Sequence, residues 1–157
     1  KKGYDTAVNK FSKDLLKIVL FSIATGTPPK GTGINWEPHS PITTKKYGEH
    51  PIYYLTGTYY RAIGLFKYKD KTLVGLPRSK GRSSSGGITL GELARILEYG
   101  TGGRGGGKSS GTIPPRPLWN PAINAVGGKD RLRSMIIKNI RKQLYGFGIR
   151  ANQVRWR

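Results

Sequence analysis

The run from Gly102 to Ser109 has the spacing of a phosphate-binding loop, with Gly102, Gly107, Lys108 and Ser109 in the required places. In such a loop the backbone amides and the N-terminus of a following helix converge on phosphate, and the lysine neutralises it. That chemistry needs a buried strand before the loop and a helix after it. Here a helical pattern precedes the glycines and a proline-rich turn follows them, so the match is rejected. Seven glycines in the twelve residues from Gly100 to Gly111 satisfy the pattern by composition alone.

No other set of residues has catalytic spacing. The eight carboxylates are scattered, with no acidic pair beside a histidine. Ser83, Ser84 and Ser85 lie together without a neighbouring base to activate them. His39 precedes Ser40, but adjacency along the chain does not build a dyad. His39 and His50 fall in proline-rich segments, where packing or surface roles are expected. The absence of cysteine removes thiolate and disulfide chemistry, and two histidines are a poor ligand supply for zinc. The chain is therefore read as a non-enzyme that uses no cofactor or metal.

The chemistry that remains is recognition. Pro114, Pro115 and Pro117 fix three φ angles around Arg116, and so hold Arg116, Leu118 and Trp119 in one geometry. A rigid arginine can grip a carboxylate bidentately. Glu98, one of the few acids, precedes this turn, so a Glu98–Arg116 pair is expected, within a subunit or between subunits; the alternative is a solvated Arg116. Basic residues also alternate with aromatics at Lys67-Tyr68-Lys69 and Arg155-Trp156-Arg157, a pattern able to stack on bases and neutralise phosphates.

These residues need elements to position them. A capping box, Thr89 with Glu92, opens a helix over residues 90–99, and its apolar face carries Leu90, Leu93, Ala94, Ile96 and Leu97. Gly100 suits a left-handed C-terminal cap. A first helix is expected over Thr6–Ile23, capped by Asp5 or Thr6, with Val8, Phe11, Leu15, Ile18 and Val19 on one face and Lys10, Lys13 and Lys17 on the other. Residues 28–51 read as loop, with a helical turn at 43–47. In this loop Trp36 either anchors the segment on the core or meets a partner. Residues 52–63 suggest a short helix after a turn, although their aromatic content also suits a strand. Residues 65–76 read as a β-hairpin turning at Asp70-Lys71. Residues 77–87 read as a basic loop carrying Arg78, Lys80 and Arg82. Asp130 is expected to cap a last helix running to about Leu144. Its arc is Leu132, Met135, Ile136, Ile140 and Leu144, and Arg131, Lys138, Arg141 and Lys142 lie opposite. Arg133 falls inside that arc, so the arc is not wholly core. The end, with Arg150, Arg155 and Arg157, reads as a strand or an arm.

The expected fold class is α+β: a small antiparallel sheet with a β-hairpin, packed against N-terminal, middle and C-terminal helices, with long loops. One domain spans residues 1–145, and a basic tail spans 146–157. Twenty-eight lysines and arginines against eight acids give a formal charge of +20. Self-repulsion on that scale favours an anionic partner, either nucleic acid or an acidic protein surface. The candidate contacts for such a partner are Arg78, Lys80, Arg82, Arg104, Lys108, Lys138, Arg141, Lys142, Arg150, Arg155 and Arg157. No recognition-helix motif or aromatic sheet signature accompanies the charge, so sequence-specific readout is not expected. No apolar run approaches the ~18 residues of a membrane span.

Two blocks carry a family resemblance. The first is Trp36-Glu37-Pro38 with Ser40-Pro41, then Thr43, Lys45 and Lys46, then Leu55-Thr56-Gly57. The second runs from Leu93 through Glu98-Tyr99-Gly100-Thr101 to Ile113-Pro114-Pro115-Arg116-Pro117-Leu118-Trp119 and Pro121-Ala122. In this order they resemble the tail-completion, or neck, proteins of tailed bacteriophages, including the virion-morphogenesis and tail-terminator-like groups. The resemblance implies a small α+β protomer that forms a ring, usually a hexamer, at the head–tail junction of the virion, with DNA passing through the bore. It implies neighbouring neck, connector and tail-tube proteins as partners, synthesis in the host cytoplasm, and no membrane. Trp36, Glu98, Tyr99, Arg116, Leu118 and Trp119 would then lie at the subunit interface. The charge of +20, the glycine tract and the basic tail depart from the family pattern.

Overall fold

The computed structural model describes residues 2–51, 57–69, 71–76, 89–101 and 113–146. Its architecture is α+β, with a two-stranded antiparallel sheet packed against helices. Helix α1 (Lys2–Thr25) is the spine, and every other packed element leans on it or on a neighbour that does. Its buried seam is Ala7, Leu15, Val19 and Ile23 with Ser12 and Ser22, a helical repeat that leaves the lysines outside.

α1 begins four residues before the expected start. The physical reason is a close crossing with the last helix. At Gly3 an added Cβ would sit 3.2 Å from the Asn139 backbone, so a glycine lets the two helices approach there. Thr6 is not a cap: its hydroxyl donates back to the Lys2 carbonyl at 2.8 Å, within the helix. Asp5 lies in the first turn, where its charge complements the helix dipole.

The chain then passes through α2 (Pro41–Tyr47), capped by the Ser40 hydroxyl, and α3 (Thr58–Ala62), which follows Gly57 at φ 66°. β1 (Gly64–Tyr68) and β2 (Lys71–Gly75) form the hairpin, in the register Gly64↔Gly75 to Tyr68↔Lys71. Lys71 is therefore a strand residue rather than a turn residue; Lys69, before it, has φ 53°, and Asp70, the other expected turn residue, lies outside the described residues.

α4 (Leu90–Tyr99) starts with the complete capping box: Thr89 Oγ1 accepts from the Glu92 amide, and the Glu92 carboxylate accepts from the Thr89 amide at 2.8 Å. These bonds hold the Glu92 carboxyl below its usual pKa. Gly100 has φ 72° and ψ −178°, so it takes the positive φ that favours glycine but not the left-handed helical conformation expected of the cap.

Residues 119–122, read from sequence as the end of a proline turn, open helix α5 (Trp119–Ala125). Pro121 is compatible with this because it sits in the first turn, whose amides have no intrahelical partner. The last helix, α6 (Gly128–Gly146), starts two residues before Asp130, which therefore lies in the first turn and is not the cap. None of its residues is fully buried, and Leu132, Met135, Ile136, Ile140 and Leu144 are only partly covered. Arg131, expected on the outer face, is exposed, but its guanidinium reaches back to neighbouring helices. One Nη donates to the Val126 carbonyl at 2.7 Å, closing the end of α5, and the other pairs with Asp14 of α1 at 3.1 Å.

One core results, built from Leu15, Val19, Ile23, Trp36, Tyr59, Ile63, Leu118, Ala122 and Val126. Among the described residues, no helix is long and apolar enough to cross a membrane.

Candidate functional site

The two sequence blocks meet at one place in the fold. Trp36 is buried, and its indole Nε1–H donates to the Pro117 carbonyl at 3.0 Å. Arg116 is 4% exposed and reaches the other way. Its Nε donates to the Glu37 carbonyl at 2.9 Å, and its Nη2 to the Pro38 carbonyl at 3.0 Å. The tryptophan loop and the proline frame therefore hold each other by reciprocal side-chain-to-backbone bonds. The fixed φ angles of the prolines make this possible, since they aim the guanidinium fork without further ordering cost.

Helix α4 joins the same lock. The Arg116 amide donates to the Leu97 carbonyl at 2.7 Å, which satisfies one of the carbonyls left over at the helix C-terminus. The Glu98 carboxylate accepts from the Leu118 amide at 2.8 Å and from the Trp119 amide at 3.3 Å. It therefore caps α5, whose own N-cap residue, Leu118, has no side chain able to do so. Beneath it, burial pushes the Tyr59 phenol well above its usual pKa, and the Glu98 charge adds to the shift.

Within the protomer the expected Glu98–Arg116 pair does not form. Each side chain is drawn to a backbone instead, Glu98 to the amides that open α5 and Arg116 to the carbonyls of residues 37 and 38. Spacing could not have revealed this, because backbone carbonyls and amides leave no mark on composition.

The six interface candidates also separate. Trp36, Arg116 and Leu118 are buried within the single protomer and present little surface of their own. Glu98 and Trp119 are half-buried, and Tyr99 is 73% exposed. Beside Tyr99 the chain closes on itself: the Thr101 amide donates to the Ile113 carbonyl at 3.1 Å, and the Ile113 amide donates to the Thr101 hydroxyl at 2.9 Å. This reciprocal clasp fixes both ends of the glycine tract, an arrangement the sequence did not suggest.

Of the basic candidates, Lys138, Arg141 and Lys142 come together on α6. With Ser134, Ile137, Asn139 and Tyr145 they line an open surface groove of about 910 Å³. Arg78, Lys80, Arg82, Arg104, Lys108, Arg150, Arg155 and Arg157 lie outside the described residues, as do Leu55-Thr56 of the first block.

His39 and His50 pack against each other, with ring centroids 4.3 Å apart and planes tilted by 58°. Burial, then the charges of His50 and Arg116, lower the His39 pKa, partly offset by a hydrogen bond to the Pro51 backbone. Among the described residues, no cluster of three or more His, Cys, Asp or Glu side chains is placed to hold a metal. No protein-family model, curated protein or solved structure matches the chain.

Proposed function

We propose that this chain is a structural protein of the phage neck. It would be one protomer of a ring at the head–tail junction that completes or terminates the tail and joins it to the head connector, with DNA passing through. The observation that carries this reading is the lock itself. The two blocks on which the family resemblance rests are about 80 residues apart, and three side-chain hydrogen bonds, from Trp36 and Arg116, join them. Motifs that meet in one contact are a single architectural unit, as a shared signature requires.

The charge supports the same reading, because +20 on a chain of 157 residues is relieved by anionic neighbours. The partners would be further copies of the chain, neighbouring neck, connector and tail-tube proteins, and the genome. Exposed Tyr99, beside the Thr101–Ile113 clasp, takes over the subunit-contact role assigned from sequence to the buried Trp36, Arg116 and Leu118.

Assembly state tests the proposal. Light scattering and negative-stain images of the purified protein, alone and with tail tubes, should give rings. A monomer under every condition would refute it. The basic α6 groove favours a second reading, a free nucleic-acid-binding protein. Salt-dependent DNA affinity in a chain that never forms a ring would select that reading.

A further inference from the structure

We infer that the α6 groove is a docking site for the phosphate backbone of duplex DNA, independent of sequence. The groove is lined by Ser134, Ile137, Lys138, Asn139, Arg141, Lys142 and Tyr145. Three of these are cations, none is an acid, and Lys138, Arg141 and Lys142 are exposed. Ser134, Lys138, Arg141 and Tyr145 recur every three or four residues, so they form one stripe along the helix. At ~1.5 Å rise per residue the stripe is roughly 16 Å long, enough to follow several phosphates.

The lining chemistry chooses among anionic occupants. Hydroxyl, amide, ammonium and guanidinium donors are the groups that contact phosphate and sugar. A single strand would need successive aromatic platforms, and among the described residues Tyr145 is the one aromatic lining the groove. An acidic amphipathic helix would need an apolar stripe, but among the described residues Ile137 is the one aliphatic there. The partly covered residues Leu132, Met135, Ile136, Ile140 and Leu144 belong to the opposite arc and are not in the groove lining. A second copy of the chain, which in the proposed ring meets its neighbour at the Tyr99 face, would have to match three clustered cations here while carrying eight acids against twenty-eight bases. Duplex backbone remains.

This assignment goes beyond the ring reading and does not depend on it. The test is fluorescence anisotropy of the full chain with a random-sequence duplex across a salt series. The variants are a groove triple (Lys138→Gln, Arg141→Gln, Lys142→Gln) and a control triple (Lys13→Gln, Lys45→Gln, Lys46→Gln), which removes the same charge from exposed positions in α1 and α2. Each lost phosphate contact flattens the plot of log K against log salt by about 0.9, so the groove triple should flatten it by about 2.7. Between ~50 and ~200 mM salt this is an approximately 40-fold smaller loss of affinity, while the control stays near wild type.

Equal effects of the two triples would mean that net charge alone binds DNA, and would overturn the groove. Tighter binding to a single strand of equal length, or to poly-L-glutamate, with the loss confined to the groove triple, would overturn the duplex assignment. Light scattering on the same samples reads the ring separately, so a monomer that shows the groove-specific slope refutes the ring and leaves the groove standing.

Discussion

Replacing Arg116 by lysine tests the lock most directly. The guanidinium makes two charge-assisted bonds at once, to the carbonyls of Glu37 and Pro38 at 2.9 and 3.0 Å. A lysine ammonium has no planar fork and can keep one of them. A hydrogen bond to a charged group contributes about 1.5–3 kcal/mol, and a carbonyl left without a partner costs up to a similar amount. Glu37 and Pro38 are themselves exposed, so water can reach the abandoned carbonyl, and the lower part of the range applies. Arg116→Lys should therefore destabilise the chain by about 1.5–2 kcal/mol, since the lost bond dominates. For a chain of this size that corresponds to a fall of about 3–8 °C in Tm. Arg116→Met, which frees both carbonyls, should fall further. Urea and thermal unfolding of the three proteins measure this. A lysine variant within about 0.5 kcal/mol of wild type would refute the reasoning, because that is the scatter of an ordinary surface substitution. A methionine variant more stable than the lysine one would refute it differently, by showing that burying the cation costs more than its hydrogen bonds return.

Glu98→Ala removes the acceptor for the Leu118 and Trp119 amides and should cost about 1–2 kcal/mol in urea unfolding, with Glu98→Gln losing less because one oxygen remains. Gly100→Ala should cost more than about 2 kcal/mol, since φ is 72° and the new Cβ would lie 2.6 Å from the Ile113 carbonyl oxygen; Gly91→Ala, whose Cβ would meet the Thr89 hydroxyl at an ordinary 4.0 Å in the first turn of α4, should be neutral or stabilise by up to about 1 kcal/mol. Thermal scans of the two glycine variants side by side would expose an error in either. Because the His39 pKa is lowered in the fold, the unfolded chain takes up the proton first, so stability should be level above the ordinary histidine value of 6.5 and fall as pH drops through the lowered value. Tm measured from pH 8 to pH 5 should show that decline, and His39→Gln should remove part of it.

Regular elements were legible because their signals are local. The capping box at Thr89 and Glu92, the alternation of β1 and the spacing of α4 need only neighbouring residues, and each stands where the sequence puts it. Boundaries failed where a distant contact decided them. Nothing near Lys2 announces a helix; α1 extends there because Gly3 lets α6 approach. Nothing near Trp119 announces one either. α5 forms behind three prolines because a carboxylate from another helix caps it. The candidate site was legible as a set of residue types and illegible as a set of partners. Trp36, Glu98 and Arg116 were marked as unusual, and all three prove to be committed. Their partners are main-chain atoms of residues 117, 118, 119, 37 and 38, whose side chains give no hint of it.

That commitment changes what an interface on this face can be. A residue 4% exposed that holds a loop in place cannot also serve a neighbouring subunit without releasing the loop. In the proposed ring, Arg116, Trp36 and Glu98 would therefore support a contact from behind, and exposed Tyr99, beside the Thr101–Ile113 clasp, would be what this face presents. The consequence separates stability from assembly. Substitution of Tyr99, which is 73% exposed, by alanine should leave unfolding within about 0.5 kcal/mol of wild type yet reduce ring yield in light scattering, whereas Arg116→Lys should lower both. If Tyr99→Ala formed rings as well as wild type, the subunit contact would have to lie elsewhere on the protomer. The exposed hairpin residues Tyr68 and Leu73 would then be the next surface to vary.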